Sequence, residues 1–404
     1  MTGAFELADF RAADEVASRA VRRTPMLPAH WLEEAVGGPI HLKAENLQRS
    51  GSFKIRGAYV RLSRLTPEER ARGVVAASAG NHAQGVALAA ADLGIPSTVF
   101  MPRTASLPKI VATRGYGAEV RLVGETLADA FTAAAEFVSS TGAVMIPPFD
   151  HRDIVLGQGS VGLEIAAEMP DAATVVVPAG GGGLLAGVAG ALHAVGSRAQ
   201  VVAVQAAGCA TLAGSFAAGH PVALDHIPTT MADGIAVAQP GAVPFAVAQP
   251  LVHRVVEVGE EQIADGILQT LERSKLLAEP AGVVGISAVI ADPTAFKPPV
   301  VVVVSGGNVD PVLLNRILGH GLALAGRYVA ITVRIPDQPG RLAGLLATVA
   351  AGEANVLDIS HLRNDPRLAV GEVEIVILCE TRGPDHRAAL VQHVEAAGYR
   401  VTID

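Results

Sequence analysis

Thr174-Val175-Val176-Val177-Pro178-Ala179-Gly180-Gly181-Gly182-Gly183-Leu184 passes from a short apolar strand, through four glycines, into an apolar helix. Four successive glycines remove every Cβ that would hold backbone amides away from a phosphate. A flexible linker has the same composition, but linkers do not normally sit between a valine-rich strand and an apolar helix, so the run reads as a phosphate cradle. It is not a dinucleotide fingerprint, because the Gly-x-Gly-x-x-Gly spacing followed by an acidic residue is not cleanly met. Outward from this stretch, valine-rich runs keep alternating with alanine-rich helical ones. Residues 73–77, 97–100, 119–123, 143–146, 174–177, 200–204 and 299–304 read as strands, and 82–93, 105–113 and 126–139 as helices with an apolar face. The alternation predicts an α/β architecture of mostly parallel sheets covered by helices, with ligands gathered at the carboxyl ends of the strands.

Three more segments fall where such a ligand would lie. Ser78-Ala79-Gly80-Asn81-His82-Ala83-Gln84-Gly85 follows one strand directly and opens a helix, so its backbone N–H groups are available to an anion such as a substrate carboxylate. Asn81 can also donate to a ring oxygen, or act as an ordinary helix cap beside a solvated His82. Ser305 follows the strand 299–304 with no charge beside it and begins the polar turn Ser305-Gly306-Gly307-Asn308. Its hydroxyl is suited to a pyridine nitrogen that need not stay protonated. The chain has only five lysines, and one of them, Lys54, stands in Ser52-Phe53-Lys54-Ile55-Arg56-Gly57-Ala58. A lysine that condenses with a cofactor aldehyde must lose its proton near neutral pH, through desolvation or neighbouring positive charge. Phe53, Ile55 and Arg56 are expected to provide those surroundings. Taken together the four segments suit pyridoxal 5'-phosphate (PLP).

At 404 residues the chain has room for two or three domains, since a domain averages roughly 150 residues. Half the residues are hydrophobic and 17% are charged, which places it among globular rather than disordered chains. A net charge of -8 argues against a nucleic-acid backbone or an anionic membrane as partner. The two cysteines, Cys209 and Cys379, lack metal-ligand or disulfide spacing. The acidic N-terminus lacks a secretory pattern, and no apolar run reaches the ~18 residues of a membrane span. These features predict a cytoplasmic protein.

The pattern changes near Gly326. Alternating strands at 328–335, 355–362, 369–380 and 399–403, with helices at 341–351 and 384–397, form a βαββαβ order, the ferredoxin-like plan. One exposed sheet face of so small a unit would favour pairing with another copy.

These segments, in this order, resemble the threonine dehydratase (threonine ammonia-lyase) family of fold-type II PLP enzymes, through almost the whole chain. The resemblance implies a catalytic domain over residues 1–325, with a smaller subdomain at roughly 50–150 inserted in the larger, and that Lys54 carries the cofactor. It further implies that Phe53 lies against the ring, Asn81 binds its 3'-oxygen, Gly180, Gly181, Gly182, Gly183 and Leu184 hold the phosphate, and Ser305 faces the ring nitrogen. Met231-Ala232-Asp233-Gly234-Ile235 and Glu279-Pro280-Ala281-Gly282 match the family's cofactor-edge and active-site segments, which adds Gly234 and Glu279. Ser78, Ala79, Gly80, Asn81 and His82 would bind the substrate. The implied reaction is deamination of L-threonine to 2-oxobutanoate and ammonia, with L-serine giving pyruvate as a side activity, in a homodimer or homotetramer. Residues 328–404 resemble an ACT domain, a small-molecule sensor; its ligand turn would be Asp337, Gln338, Pro339 and Gly340, continuing through Arg341-Leu342, with Asn355 beyond and an amino acid such as isoleucine or valine as effector.

Three competing readings stand beside this one: a serine dehydratase, a serine or threonine racemase of the same fold, and a noncatalytic amino-acid sensor. Related racemases place a serine directly after the position matching Ser78, where this chain has Ala79, a side chain that can neither give nor take a proton. The same relatives bind a divalent cation through acidic residues that align with Gln205, Cys209 and Thr211, so no such metal site is expected.

Overall fold

The computed structural model describes residues 5–226, 229–364 and 366–403, which form two compact units, Met1–Pro311 and Val312–Asp404. The first unit contains ten strands: β1 Met26–Pro28, β2 Ile40–Ala44, β3 Val74–Ala77, β4 Ser97–Met101, β5 Glu119–Leu122, β6 Val144–Met145, β7 Thr174–Pro178, β8 Gln200–Ala206, β9 Val252–Val258 and β10 Val300–Val304. They build a large sheet in the order β1-β2-β10-β7-β8-β9 and a small one in the order β5-β4-β3-β6. Every pairing is parallel except that of β1 with β2. The small sheet is built wholly from chain between β2 and β7, so it is an inserted lobe. No exposed face explains the unbroken valines of β10, all five of them at 0% exposure; helices cover the sheet on both sides.

Two strands of the large sheet have sequences that hide them. In β2, Ile-His-Leu-Lys-Ala, Lys43 is fully buried and pairs with Glu164 at 2.6 Å. At the sheet edge β9, Val-His-Arg-Val-Val-Glu-Val, is only partly buried. Neither looks like a buried apolar run, because the edge needs no second apolar face and the lysine is neutralised by a partner far along the chain.

In the second unit, strands β11 Tyr328–Pro336, β12 Asn355–Leu362, β13 Glu372–Glu380 and β14 Val401–Ile403, with helices Arg341–Ala351 and Pro384–Ala396, form an antiparallel sheet ordered β12-β13-β11-β14. This is the ferredoxin-like βαββαβ arrangement. Val329, Ile331, Val333 and Ile335 alternate inward along β11 to meet Leu345, Val349, Leu390 and Val394 of the two helices. The helix Pro311–Leu324 precedes β11, and from Val312 onward it groups with this unit, so the break falls ahead of the composition change at Gly326. Among the described residues, no helix is long and apolar enough to cross a membrane.

Candidate active site

Lys54 opens the helix Lys54–Ser63, and its position is set from both sides. Upstream, Ser52 pairs with Gly306 in an antiparallel bridge and Phe53 N–H donates to the Ser305 carbonyl at 3.2 Å, which fastens the segment to the carboxyl end of β10. Downstream, the helix Asn81–Asp92 packs so closely that a Cβ on Gly85 would stand 3.1 Å from Lys54 Cβ. A side chain at position 85 would push the two helices apart by a few tenths of an ångström, so glycine there keeps the first turn of the second helix close to the lysine.

The Lys54 amine donates to the Pro148 carbonyl at 3.0 Å and lies 5.1 Å from the centre of the Phe53 ring. Burial of the amine pulls its pKa down to about 8, against a smaller opposing pull from Glu279. Arg56 takes no part in this. Its guanidinium is fully buried and is claimed by Glu45, at 2.8 Å from both Nε and Nη2, and by Glu164, at 2.7 and 3.1 Å. Burial presses the Arg56 pKa down, but the two carboxylates more than reverse this and raise it. The expectation that Arg56 activates Lys54 is therefore corrected: desolvation acts on the lysine, and the arginine anchors the fold.

The residue after Pro148, Phe149, links Lys54 to the glycine turn. A Cβ on Gly181 would collide with its ring, and one on Gly183 would stand 3.0 Å from its Cβ. A Cβ on Gly180 would stand 2.9 Å from Ile235 Cα, while Gly182 holds a left-handed φ of +91° as the cap of the helix Gly183–Ala194. Glycine is thus required by packing and backbone conformation, as well as by the open amides of Gly183 and Leu184 in the first helical turn.

Asn81 is held by two partners. Its Nδ2 donates to Glu279 Oε1 at 2.5 Å, and its Oδ1 accepts from Asn308 Nδ2 at 2.8 Å. One Asn81 N–H remains for a further acceptor. Glu279 caps the helix Pro280–Ala291 and is 5% exposed; burial, with help from Asp233, drives its pKa up to about 7 against the opposing Asn81 bond. A Cβ on Gly306 would fall on Glu279 Oε1 and displace that carboxyl, and one on Gly234 would stand 2.9 Å from Ala281 Cβ.

His82 is not a solvated first-turn residue. It is 4% exposed, its Nε2 donates to the Ile146 carbonyl at 2.8 Å, and burial together with the nearby Lys54 charge pulls its pKa down to about 3. The imidazole is neutral and turned inward, so from His82 the turn offers only its backbone N–H. The Asn81, His82 and Ala83 amides precede the helix's first bond, Gln84 N–H to Gly80 O at 3.4 Å, and Ser78 Oγ accepts from Gly80 N–H at 3.2 Å. Ser305 is 4% exposed, and its hydroxyl has no partner among the described residues.

A family profile described as "Pyridoxal-phosphate dependent enzyme" matches residues 17–306. The chain belongs to that family. It is 44% identical to the L-threonine ammonia-lyase of Thermotoga maritima over 98% of this chain and 99% of the relative. The processed form of threonine deaminase isoform 2 from Solanum lycopersicum superposes with a TM-score of 0.74 at 35% identity, covering 78% of this chain and 92% of that one. Maize serine racemase superposes at 0.73 with 33% identity, covering 80% and 99%. The residues present fit the family's cofactor: a glycine cradle that side chains would fill, a lysine whose amine is readily neutral, and a buried serine whose hydroxyl has no partner among the described residues.

Pro148, Phe149 and Asn308 were not singled out by the sequence reading as site residues. The Pro147-Pro148-Phe149-Asp150 turn follows a small-sheet strand directly, the one signal that marked it. Gln205 Nε2 donates to Ala179 O at 3.1 Å and to Thr211 Oγ1 at 3.4 Å, Gln205 Oε1 accepts from Leu212 N–H at 2.8 Å, and Cys209 is a buried free thiol. In the second unit, Asp337 is engaged by Arg363 at 3.1 and 3.3 Å, and Gly340 caps the next helix at φ +85°. Asn355 is not brought to this turn. It pairs with Glu380 at one end of β13, whereas Pro336 pairs with Glu372 at the other, roughly 26 Å away at ~3.3 Å per residue.

Proposed function

We propose that this protein is a PLP-dependent threonine ammonia-lyase, converting L-threonine to 2-oxobutanoate and ammonia, with L-serine giving pyruvate. The single observation that carries the reading is a buried lysine amine of lowered pKa, joined through Pro148 and Phe149 to the glycine turn, in a chain 44% identical to a threonine ammonia-lyase from end to end.

When bound, the cofactor supplies an aldehyde that takes up amines and a ring that withdraws electrons from the carbon beside them. Lys54 would hold it, the Gly183 and Leu184 amides with the turn from Gly180 would receive its phosphate, Ser305 Oγ would meet its ring nitrogen, and the remaining Asn81 N–H its ring oxygen. The backbone amides at 81–83 would orient the substrate carboxylate. Lys54 Nζ would be the base that takes the Cα proton; at about 8 its pKa leaves a useful fraction neutral near physiological pH. The β-hydroxyl would leave as water, the proton it gains balancing the one taken from Cα, and one water would then hydrolyse the remaining skeleton to release ammonia. Ala79, where related racemases have a serine, can neither give nor take a proton, which favours elimination over racemisation despite the likeness to serine racemase.

The test has two arms. Borohydride should fix the cofactor on Lys54, seen as a mass increase on its peptide, and L-threonine should yield 2-oxobutanoate. A colourless protein that gains no visible absorbance with PLP would return the reading to a noncatalytic sensor, and recovery of D-serine from L-serine would favour a racemase.

The ferredoxin-like unit fits a regulatory ACT domain that answers to an amino acid and pairs between subunits of a homodimer or homotetramer in the cytoplasm. Exposed Leu357, Ile359 and Leu362 on β12 support pairing. Because Asn355 and the 337–340 turn lie at opposite ends of the sheet, an effector touching both would need two copies. Removing residues 312–404 should leave turnover and abolish any response to isoleucine or valine; a retained response would refute the assignment.

A further inference from the structure

Several ion pairs cross between the two lobes, and one of them, Lys109–Asp233, carries charges that act on Glu279 in the Lys54 pocket. Lys109 Nζ stands 2.7 Å from Asp233 Oδ2. Lys109 lies on the helix Leu107–Gly115 of the small lobe, and Asp233 opens the turn Asp233–Ile235 of the large one. The large-lobe end is clamped. Glu260 accepts from Thr230 Oγ1 at 2.5 Å and from Met231 N–H at 2.9 Å, Ile235 abuts Gly180, and Gly234 abuts Ala281. Asp233 is therefore fixed to the same segments that carry the glycine turn and Glu279. The small-lobe end projects from a helix whose Leu107 and Val111 face outward, yet the Lys109 side chain is drawn in to 16% exposure while Asp233 keeps 64%. The lysine spans the cleft and the aspartate forms its rim. Both charges reach the buried site, since Asp233 raises and Lys109 lowers the Glu279 pKa.

We propose that Lys109 and Asp233 form a latch holding the small lobe against the large one over an occupied Lys54 pocket, and so act as positioning residues for the amino-acid substrate. This rests on the reading that the pocket takes an amino acid. A pair with one partner so exposed is too weak to hold the fold together, but it shifts an open–closed equilibrium about two- to fivefold. The anion-binding turn at 78–82 belongs to the small lobe and the glycine turn to the large one, so a ligand touching both is released only when the lobes part. Breaking the latch acts on substrate retention and removes no direct contact of Lys54.

The experiment uses PLP-saturated full-length enzyme carrying K109M, D233N, both together, or the exchanged pair K109D/D233K. Each single variant should raise KM for L-threonine about two- to fivefold with kcat nearly unchanged, the double variant should be no worse than a single one, and the exchanged pair should recover much of the loss. The parent's KM should rise with ionic strength, and that slope should vanish in the single variants. Hydrogen exchange read on residues 105–115 should quicken in the single variants without added substrate. Losses that multiply in the double variant, or unchanged exchange at 105–115, would overturn the latch. A parent enzyme that does not turn over L-threonine would instead overturn the substrate assignment, and the exchange measurement would still decide the latch.

Discussion

Replacing Arg56 by methionine should unfold the catalytic unit at a much lower temperature without altering the chemistry of Lys54 two residues away. The guanidinium is 0% exposed and makes five hydrogen bonds of 2.7 to 3.1 Å, to Glu45, Glu164 and Ser160. Once it is gone, Glu164 still has Lys43 at 2.6 Å, but Glu45, also at 0% exposure, keeps only the Thr24 hydroxyl. An unpartnered buried charge of this kind costs about 3–5 kcal/mol, a large part of the ~5–15 kcal/mol that stabilises a whole domain. At about 2–4 °C per kcal/mol, the melting temperature should fall by roughly 6 to 20 °C. R56K keeps the charge but cannot form two bidentate pairs, so it should fall between parent and R56M. Adding E45Q to R56M removes the stranded charge and should restore part of the loss, a non-additivity of at least ~1 kcal/mol. The assay is thermal unfolding by circular dichroism at saturating PLP, beside the pH dependence of cofactor absorbance at a temperature where all variants are folded. An R56K protein with unchanged melting temperature and a shifted absorbance titration would refute the reasoning, because Arg56 would then act on Lys54.

His82 is held neutral by burial, with a pKa of about 3 against an ordinary 6.5, so its contribution is present above pH 6.5 and lost as the unfolded imidazole takes up a proton on acidification. H82Q should make the melting temperature fall less steeply from pH 6.5 to 4.5; an unchanged slope would count against a neutral buried imidazole. Glu279, raised to about 7 from 4.5, has the opposite sign: its contribution is present below pH 4.5 and lost as pH rises through 7, and E279Q should flatten that decline in apoprotein melts. G181A drives a methyl into the Phe149 ring, an overpacking cost of about 1–3 kcal/mol; PLP affinity by absorbance titration should weaken tenfold or more, and an unaltered affinity would mean that the turn and Phe149 move together freely.

The strand-turn-helix junctions were legible because each combines a buried valine run with residues that tolerate close backbone approach. Gly180 to Gly183, Ser305 and the Ser78 to Gly85 turn all lie where such a junction opens, at the ends of β7, β10 and β3. The ferredoxin-like unit was equally open to reading, since β11 alternates inward and outward along its length and the Arg341–Ala351 helix follows a Pro-Gly turn. What stayed hidden depends on partners distant in sequence. Lys43 looks like a surface lysine until Glu164 lies beside it, Arg56 looks like an activator until Glu45 and Glu164 claim it, and His82 looks solvated until the Ile146 carbonyl closes on its ring. In all three, local pattern reports the kind of group but not what closes on it: a carboxylate distant in sequence for Lys43 and Arg56, and burial for His82, whose bond to the Ile146 carbonyl opposes the shift. Lys54 needs no counter-charge: an amine held at a helix start beneath Phe53 and against Pro148 is shifted by burial itself. Burial alone does not make a group legible, since it also tunes His82; Lys54 stood out because three other junction segments called for an amine beside them.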